Sequence, residues 1–182
     1  MKKLFILCAI ALLSACSVFK VVPIDPKTGY YPAKTEAQVV LSKPTDLDKR
    51  KSLLLIADHD FVRGQITNMH YFDELMTLSE LETKIVKAQL TDKIPSVNDK
   101  IGINNAAKYY KDFLWFRVEF KKEGYANKSV KFILTDPQNM EDIFITETEL
   151  DYQWKGVNDQ YNWYPMFNAM LKYIRDNSKS YK

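Results

Sequence analysis

The chain has 182 residues, 26 Lys+Arg against 23 Asp+Glu, and a formal charge of +3; it is 46% hydrophobic and 13% aromatic. That apolar content excludes a disordered polymer. Two Cys exclude a disulfide-dense scaffold and a multi-thiolate zinc site, and the near-balanced charge leaves no nucleic-acid footprint.

Lys2 and Lys3 precede the apolar run Leu4 to Leu13. The run is far short of the roughly 20 residues of a spanning helix, so residues 1–15 read as an export signal. It closes on Leu13-Ser14-Ala15-Cys16, which resembles the lipobox of bacterial lipoproteins. The resemblance implies cleavage before Cys16, a diacylglycerol thioether on its sulfur and a third acyl chain, such as palmitate, on the new amino terminus. Ser17 rather than Asp then implies delivery to the outer membrane, facing the periplasm. An ordinary cleaved signal that happens to contain Cys16 is the alternative.

Residues 16–45 hold Pro23, Pro26, Pro32 and Pro44, with Gly29 and no sustained period. They read as an extended tether that carries the lipidated Cys. Ala37 to Leu41 alternatively packs as an edge strand.

Residues 46–177 read as one folded domain. Ser52 to Ala57 is a continuous apolar run, as in a strand buried on both faces. Asp58-His59-Asp60 follows, then a short helical stretch over 61–68 and a short strand over 71–76. Thr77-Leu78-Ser79-Glu80 fits a capping box opening a helix that carries Leu78, Leu81, Ile85 and Ala88 on one stripe. A shorter helix covers 104–111. The period then becomes two: Leu114, Phe116, Val118 and Phe120 share one strand face, Val130, Phe132 and Leu134 the next strand's, and 142–151 forms a third strand. Trp163, Met166, Phe167, Met170, Leu171 and Ile174 make a helical stripe with Pro165 in its first turn. Residues 178–182 read as a frayed tail. The expected class is α/β (α+β): a mixed sheet with a three-stranded antiparallel meander, helices packed on it and a C-terminal amphipathic helix.

This order resembles the small α/β domain shared by the amino-terminal part of TolB, the curli-secretion lipoproteins and the lipoprotein activators of penicillin-binding proteins. The likeness rests on the strand Leu53 to Ala57, on the helix pair running into Phe113-Leu114-Trp115-Phe116, and on the meander turn Thr135-Asp136-Pro137. It implies an envelope protein. No amphipathic hairpin insertion of a pore-forming member is present in the sequence.

No residue set reads as catalytic, as a metal centre or as a cofactor site. Asp58-His59-Asp60 ends a strand, and its alternate side chains diverge. His70 beside Tyr71 and Phe72 reads as packed. Glu147 and Glu149 share a strand face as a carboxylate pair or a solvated surface, and Asn127-Lys128-Ser129 is a formal glycosylation sequon. Eleven Tyr, ten Phe and three Trp exceed what a small core needs. Tyr152, Trp154, Asn158, Asp159, Tyr161 and Tyr164 therefore stand as candidate binding residues for a protein or glycan surface, or else as a cover on the core's open end. The expected function is a lipid-anchored periplasmic binding or scaffolding module engaging an envelope protein or peptidoglycan. The alternative is an envelope hydrolase using Asp58, His59, Asp60 or the 152–164 loop.

Overall fold

The computed structural model describes residues 19–56, 58–150 and 158–181. Among them, six strands form one sheet: β1 (Gln38–Ser42), β2 (Ser52–Leu55), β3 (Glu74–Met76), β4 (Leu114–Glu123), β5 (Ala126–Asp136) and β6 (Glu141–Glu149). Their order across the sheet is β1-β6-β5-β4-β2-β3. β2 runs parallel to both β3 and β4, whereas β4 to β5, β5 to β6 and β6 to β1 are antiparallel. The sheet is mixed, as expected.

Among the described residues, four α-helices pack on it: α1 (Asp60–Thr67), α2 (Leu78–Lys87), α3 (Lys100–Tyr109) and α4 (Tyr164–Asn177). Side chains alternate across β2 and β4 and so feed two cores. Leu53, Leu55, Leu114 and Phe116 pack with α1 and α4. Leu54 and Trp115 pack with α2 and α3. β2 is buried on both sides along its whole length, hence its unbroken apolar sequence.

The helix starts follow local chemistry. Thr77 and Glu80 form the predicted capping box of α2. Asp99 caps α3 by accepting from the Gly102 amide at 2.7 Å, so α3 begins four residues before the sequence reading placed it. A π-helical turn, Asp159–Trp163, leads into α4.

Two expectations need correction. The described part of the expected tether is packed on the body. Tyr31 is only 2% exposed, and its amide donates to Asn168 Oδ1 at 2.7 Å. Residues 38–42 pair with β6, so the edge-strand alternative holds. Proline-rich coil satisfies its amides through side chains as well as through ladders, and Gln65, Asn168 and Asn177 supply the acceptors here. The tail is likewise held. Ser178 and Ser180 donate their hydroxyls to Asp48 Oδ1 at 2.6 and 2.8 Å, and the Tyr181 hydroxyl donates to the Met69 carbonyl. The Ser178 hydroxyl most of all, and then Ser180, hold the Asp48 carboxyl well below the usual carboxylate range.

At the β3 edge, Glu74 receives Lys111 Nζ at 2.9 Å and Lys84 Nζ at 3.0 Å. The Lys111 hydrogen bond, with help from Lys84, lowers its pKa from 4.5 to about 2. A depressed folded pKa stabilises above the unfolded value and is lost as pH falls through the folded one. The wild-type urea midpoint should therefore fall between about pH 5 and pH 2 more steeply than that of Glu74→Gln. Parallel pH profiles for the two proteins would exclude the ion pair as a contributor.

Candidate functional site

The functional interest lies where the π turn meets the start of the described chain. Asn158 caps the turn, its side chain accepting from the Gln160 amide at 2.9 Å. That places Asp159, 5% exposed, beneath the amino-terminal segment. Its two carboxylate oxygens each accept one backbone amide, Phe19 N–H and Lys20 N–H, both at 2.8 Å. Phe19 adopts φ +67°, a left-handed conformation that turns both amides toward one acceptor. The Tyr164 hydroxyl completes the clasp by donating to the Lys20 carbonyl at 2.7 Å. Burial first, and the Asp159 charge second, raise the Tyr164 phenol to about 12.

Aromatic rings surround this clasp. Trp163 contacts Phe19, Phe61, Phe120 and Phe132, with centroids 5.6, 6.0, 6.3 and 5.9 Å away. Asp159 and Tyr164 are therefore interior groups engaged with this chain's own backbone, which corrects their reading as surface binding residues. Asn158 is exposed but serves as a cap, and Tyr161 is half-buried. Cys16, Tyr152 and Trp154 lie outside the described residues.

Beside the clasp opens a polar cleft of about 430 Å³. Tyr161, Ser129, Glu147, Glu149, Lys121 and Lys128 line it. Thr35 and Gln38 close it from the amino-terminal segment. Register explains the gathering. Ser129 is opposite both Lys121 and Glu149, and Gln38 is opposite Glu147, so all five project from the same sheet face. Lys34 Nζ stands 5.4 Å from the Tyr161 ring centre. Glu147 accepts from the Ser129 hydroxyl and faces Lys131 Nζ at 3.3 Å. The Ser129 hydrogen bond, ahead of Lys131, lowers its pKa. A glycosidase acid needs a carboxyl shifted upward. Glu147 is shifted the other way and suits accepting hydrogen bonds from a polar ligand.

The other polar candidates serve local structure. His59 Nδ1 accepts the Phe61 amide at 3.2 Å and so caps α1. Asp58 binds Arg63 at 2.9 Å. His70 is exposed with φ +53°, not packed as its aromatic neighbours suggested. Among the described residues, no three His, Cys, Asp or Glu side chains gather as metal ligands, and no helix is long and apolar enough to cross a membrane.

Sequence reasoning named Tyr161 and the Glu147–Glu149 pair separately, but missed that they share one cleft. It also missed Lys121, Lys128 and Gln38. The run Lys121-Lys122-Glu123-Gly124 reads as a turn, whereas the strand continues to Glu123 and pairs Lys121 with Ser129, and only the pairing register brings Gln38 across β6. Comparison of the chain with protein-family models, with curated proteins and with solved structures gave no match.

Proposed function

We propose that this chain is a lipid-anchored binding or scaffolding module of the bacterial envelope. It is acylated at Cys16, seated on the outer membrane facing the periplasm, and engages an envelope protein or the cell-wall polymer through the cleft beside Tyr161. One observation carries the reading: Lys2-Lys3, a short apolar run and Leu13-Ser14-Ala15-Cys16 follow one another at lipoprotein spacing. Each buried CH₂ contributes about 0.8 kcal/mol, so one chain holds marginally and two or three hold stably. The cleft supports the binding half of the proposal, since it sets an aromatic ring among lysines and carboxylates that hydrogen-bond a sugar or peptide.

Cys16→Ser tests the anchor. The wild-type protein should incorporate labelled palmitate and partition into the detergent phase; the variant should do neither. Equal partitioning of the two would end the proposal. A photocrosslinker at position 161 tests the binding half, and should capture one stoichiometric envelope protein or muropeptide. Capture of nothing beyond bulk lipoproteins counts against it.

A further inference from the structure

We infer that the end of the body formed by Phe19, Val21, Phe120 and Tyr125 rests in the bilayer interface, with phospholipid as its occupant; the inference rests on acylation of Cys16. The first argument is covalent reach. Three residue steps separate Cys16 from Phe19, and a chain extends at most about 3.6 Å per step. Whatever path Ser17 and Val18 take, Phe19 stays within roughly 11 Å of the acylated sulfur's backbone. Phe19 is not slack. Its amide and that of Lys20 are bound to Asp159, and its ring packs on His59, Phe61 and Trp163. An anchored body therefore has no leash and meets the membrane at this end.

The second argument is what the surface presents there. Phe19 and Val21 are each 43% exposed, Phe120 48% and Tyr125 fully exposed. Single exposed apolar residues are ordinary, but these surround the one point tied to the anchor. Phe120 joins Phe19 through Trp163, which touches both rings. Val21 lies against α1 at Gly64. Tyr125 sits in the turn between β4 and β5, beyond Phe120. Lys20 follows Phe19 and Lys122 lies between Phe120 and Tyr125, so the exposed rings carry basic neighbours suited to lipid phosphates, while Lys128 is paired with Glu123 at 2.7 Å. Aromatic side chains with a polar end and flanking lysines are what settles about 5–10 Å into an interface.

This seating orients the molecule. β5 leads away from the membrane, and its 11 residues carry the turn after Asp136 roughly 35 Å outward. Ser129, Glu147 and Gln38 of the cleft lie on the sheet face opposite Phe120 and Val130, so the cleft opens sideways from the sheet and not among the lipid-facing rings.

The test uses the acylated full-length protein in phosphatidylethanolamine–phosphatidylglycerol vesicles. Cys8 leaves with the signal and the Cys16 sulfur is blocked, so one introduced cysteine takes an environment-sensitive dye alone. Tyr125→Cys is compared with Ile101→Cys, an exposed position on α3 near the outward turn. The dye at 125 should shift to the blue and be quenched by lipids spin-labelled near the headgroup; the dye at 101 should do neither. With acylation confirmed by mass, a dye at 125 as wet as that at 101 overturns the inference and leaves the anchor standing. A blue shift without lipid quenching overturns it in favour of a protein or a second copy on this face. An unmodified amino-terminal peptide removes the anchor itself, and the inference with it.

Discussion

Asp159→Ala is expected to lower the stability of the domain by about 3 kcal/mol, because one buried carboxylate serves two backbone amides. Hydrogen bonds to a charged group contribute roughly 1.5–3 kcal/mol each, and the half-exposed position of Phe19 keeps the pair below twice that. Removing the carboxylate leaves the Phe19 and Lys20 amides without their acceptor and Phe19 without a reason for φ +67°. At roughly 2–4 °C per kcal/mol for a chain of this size, the melting temperature should fall by about 6–12 °C. Asp159→Asn, which retains a single carbonyl acceptor, should fall between the two. Hydrogen exchange should rise first at residues 19–22, while the amides of β4 and β5 stay protected. A variant whose melting temperature and exchange match wild type would show that the clasp contributes nothing. The functional consequence follows from geometry. Once released, the chain is free as far as Val22, whose amide stays on Gln65 and whose carbonyl stays on Asn68, so six residue steps, at most about 22 Å, separate anchor and body. The dye at position 125 should then lose its lipid quenching even though Cys16 remains acylated.

The elements legible in the sequence are those whose signal is local. Leu53 to Leu55 read as a buried strand because burial on both faces leaves no polar gap. Thr77 and Glu80 announced α2 because a capping box closes within three residues. The α4 stripe showed because Met166, Phe167, Met170, Leu171 and Ile174 all face one core. The amino-terminal segment was opaque for the opposite reason. Tyr31 is held by Asn168, Thr45 by Asn177 and Asp48 by Ser178, contacts more than a hundred residues apart. Nothing within a short window distinguishes a proline-rich tether from a proline-rich strap. β1 is also mostly exposed, so it carries no alternation to read.

The candidate site divides along the same line. Asp159 and Tyr164 were picked for polarity and aromaticity in a loop, and those properties serve an internal clasp as well as a binding face. Only the partner decides, and the partners are Phe19 and Lys20. Tyr161 differs from its neighbours because the π turn presents it to the cleft, a helical irregularity that residue spacing does not encode.

Gly102→Ala is the second large effect, and its sign opposes simple helix propensity. Gly102 lies in the first turn of α3, where replacing Gly by Ala ordinarily gains up to about 1 kcal/mol. Here a Cβ would stand 1.9 Å from the Ser96 carbonyl oxygen and 2.8 Å from its carbon. A backbone carbonyl cannot swing aside as a side-chain tip can. The Pro95–Asn98 loop or the start of α3 must shift, and neither is free: Val97 is 1% exposed in the second core, and the Gly102 amide is bound to Asp99. Overpacking against fixed neighbours costs about 1–3 kcal/mol, and loss of the cap about 1 more, so a net loss near 3 kcal/mol is expected. Gly64→Ala in α1 provides the contrast. Its Cβ would meet the Val21 methyls at 2.7 and 3.0 Å, a half-exposed side chain that can rotate away, so gain and cost should nearly cancel. In urea unfolding the Gly102 variant should lose midpoint sharply and the Gly64 variant hardly at all. A stabilised Gly102→Ala protein would mean that the loop before α3 yields freely and that the second core does not hold it.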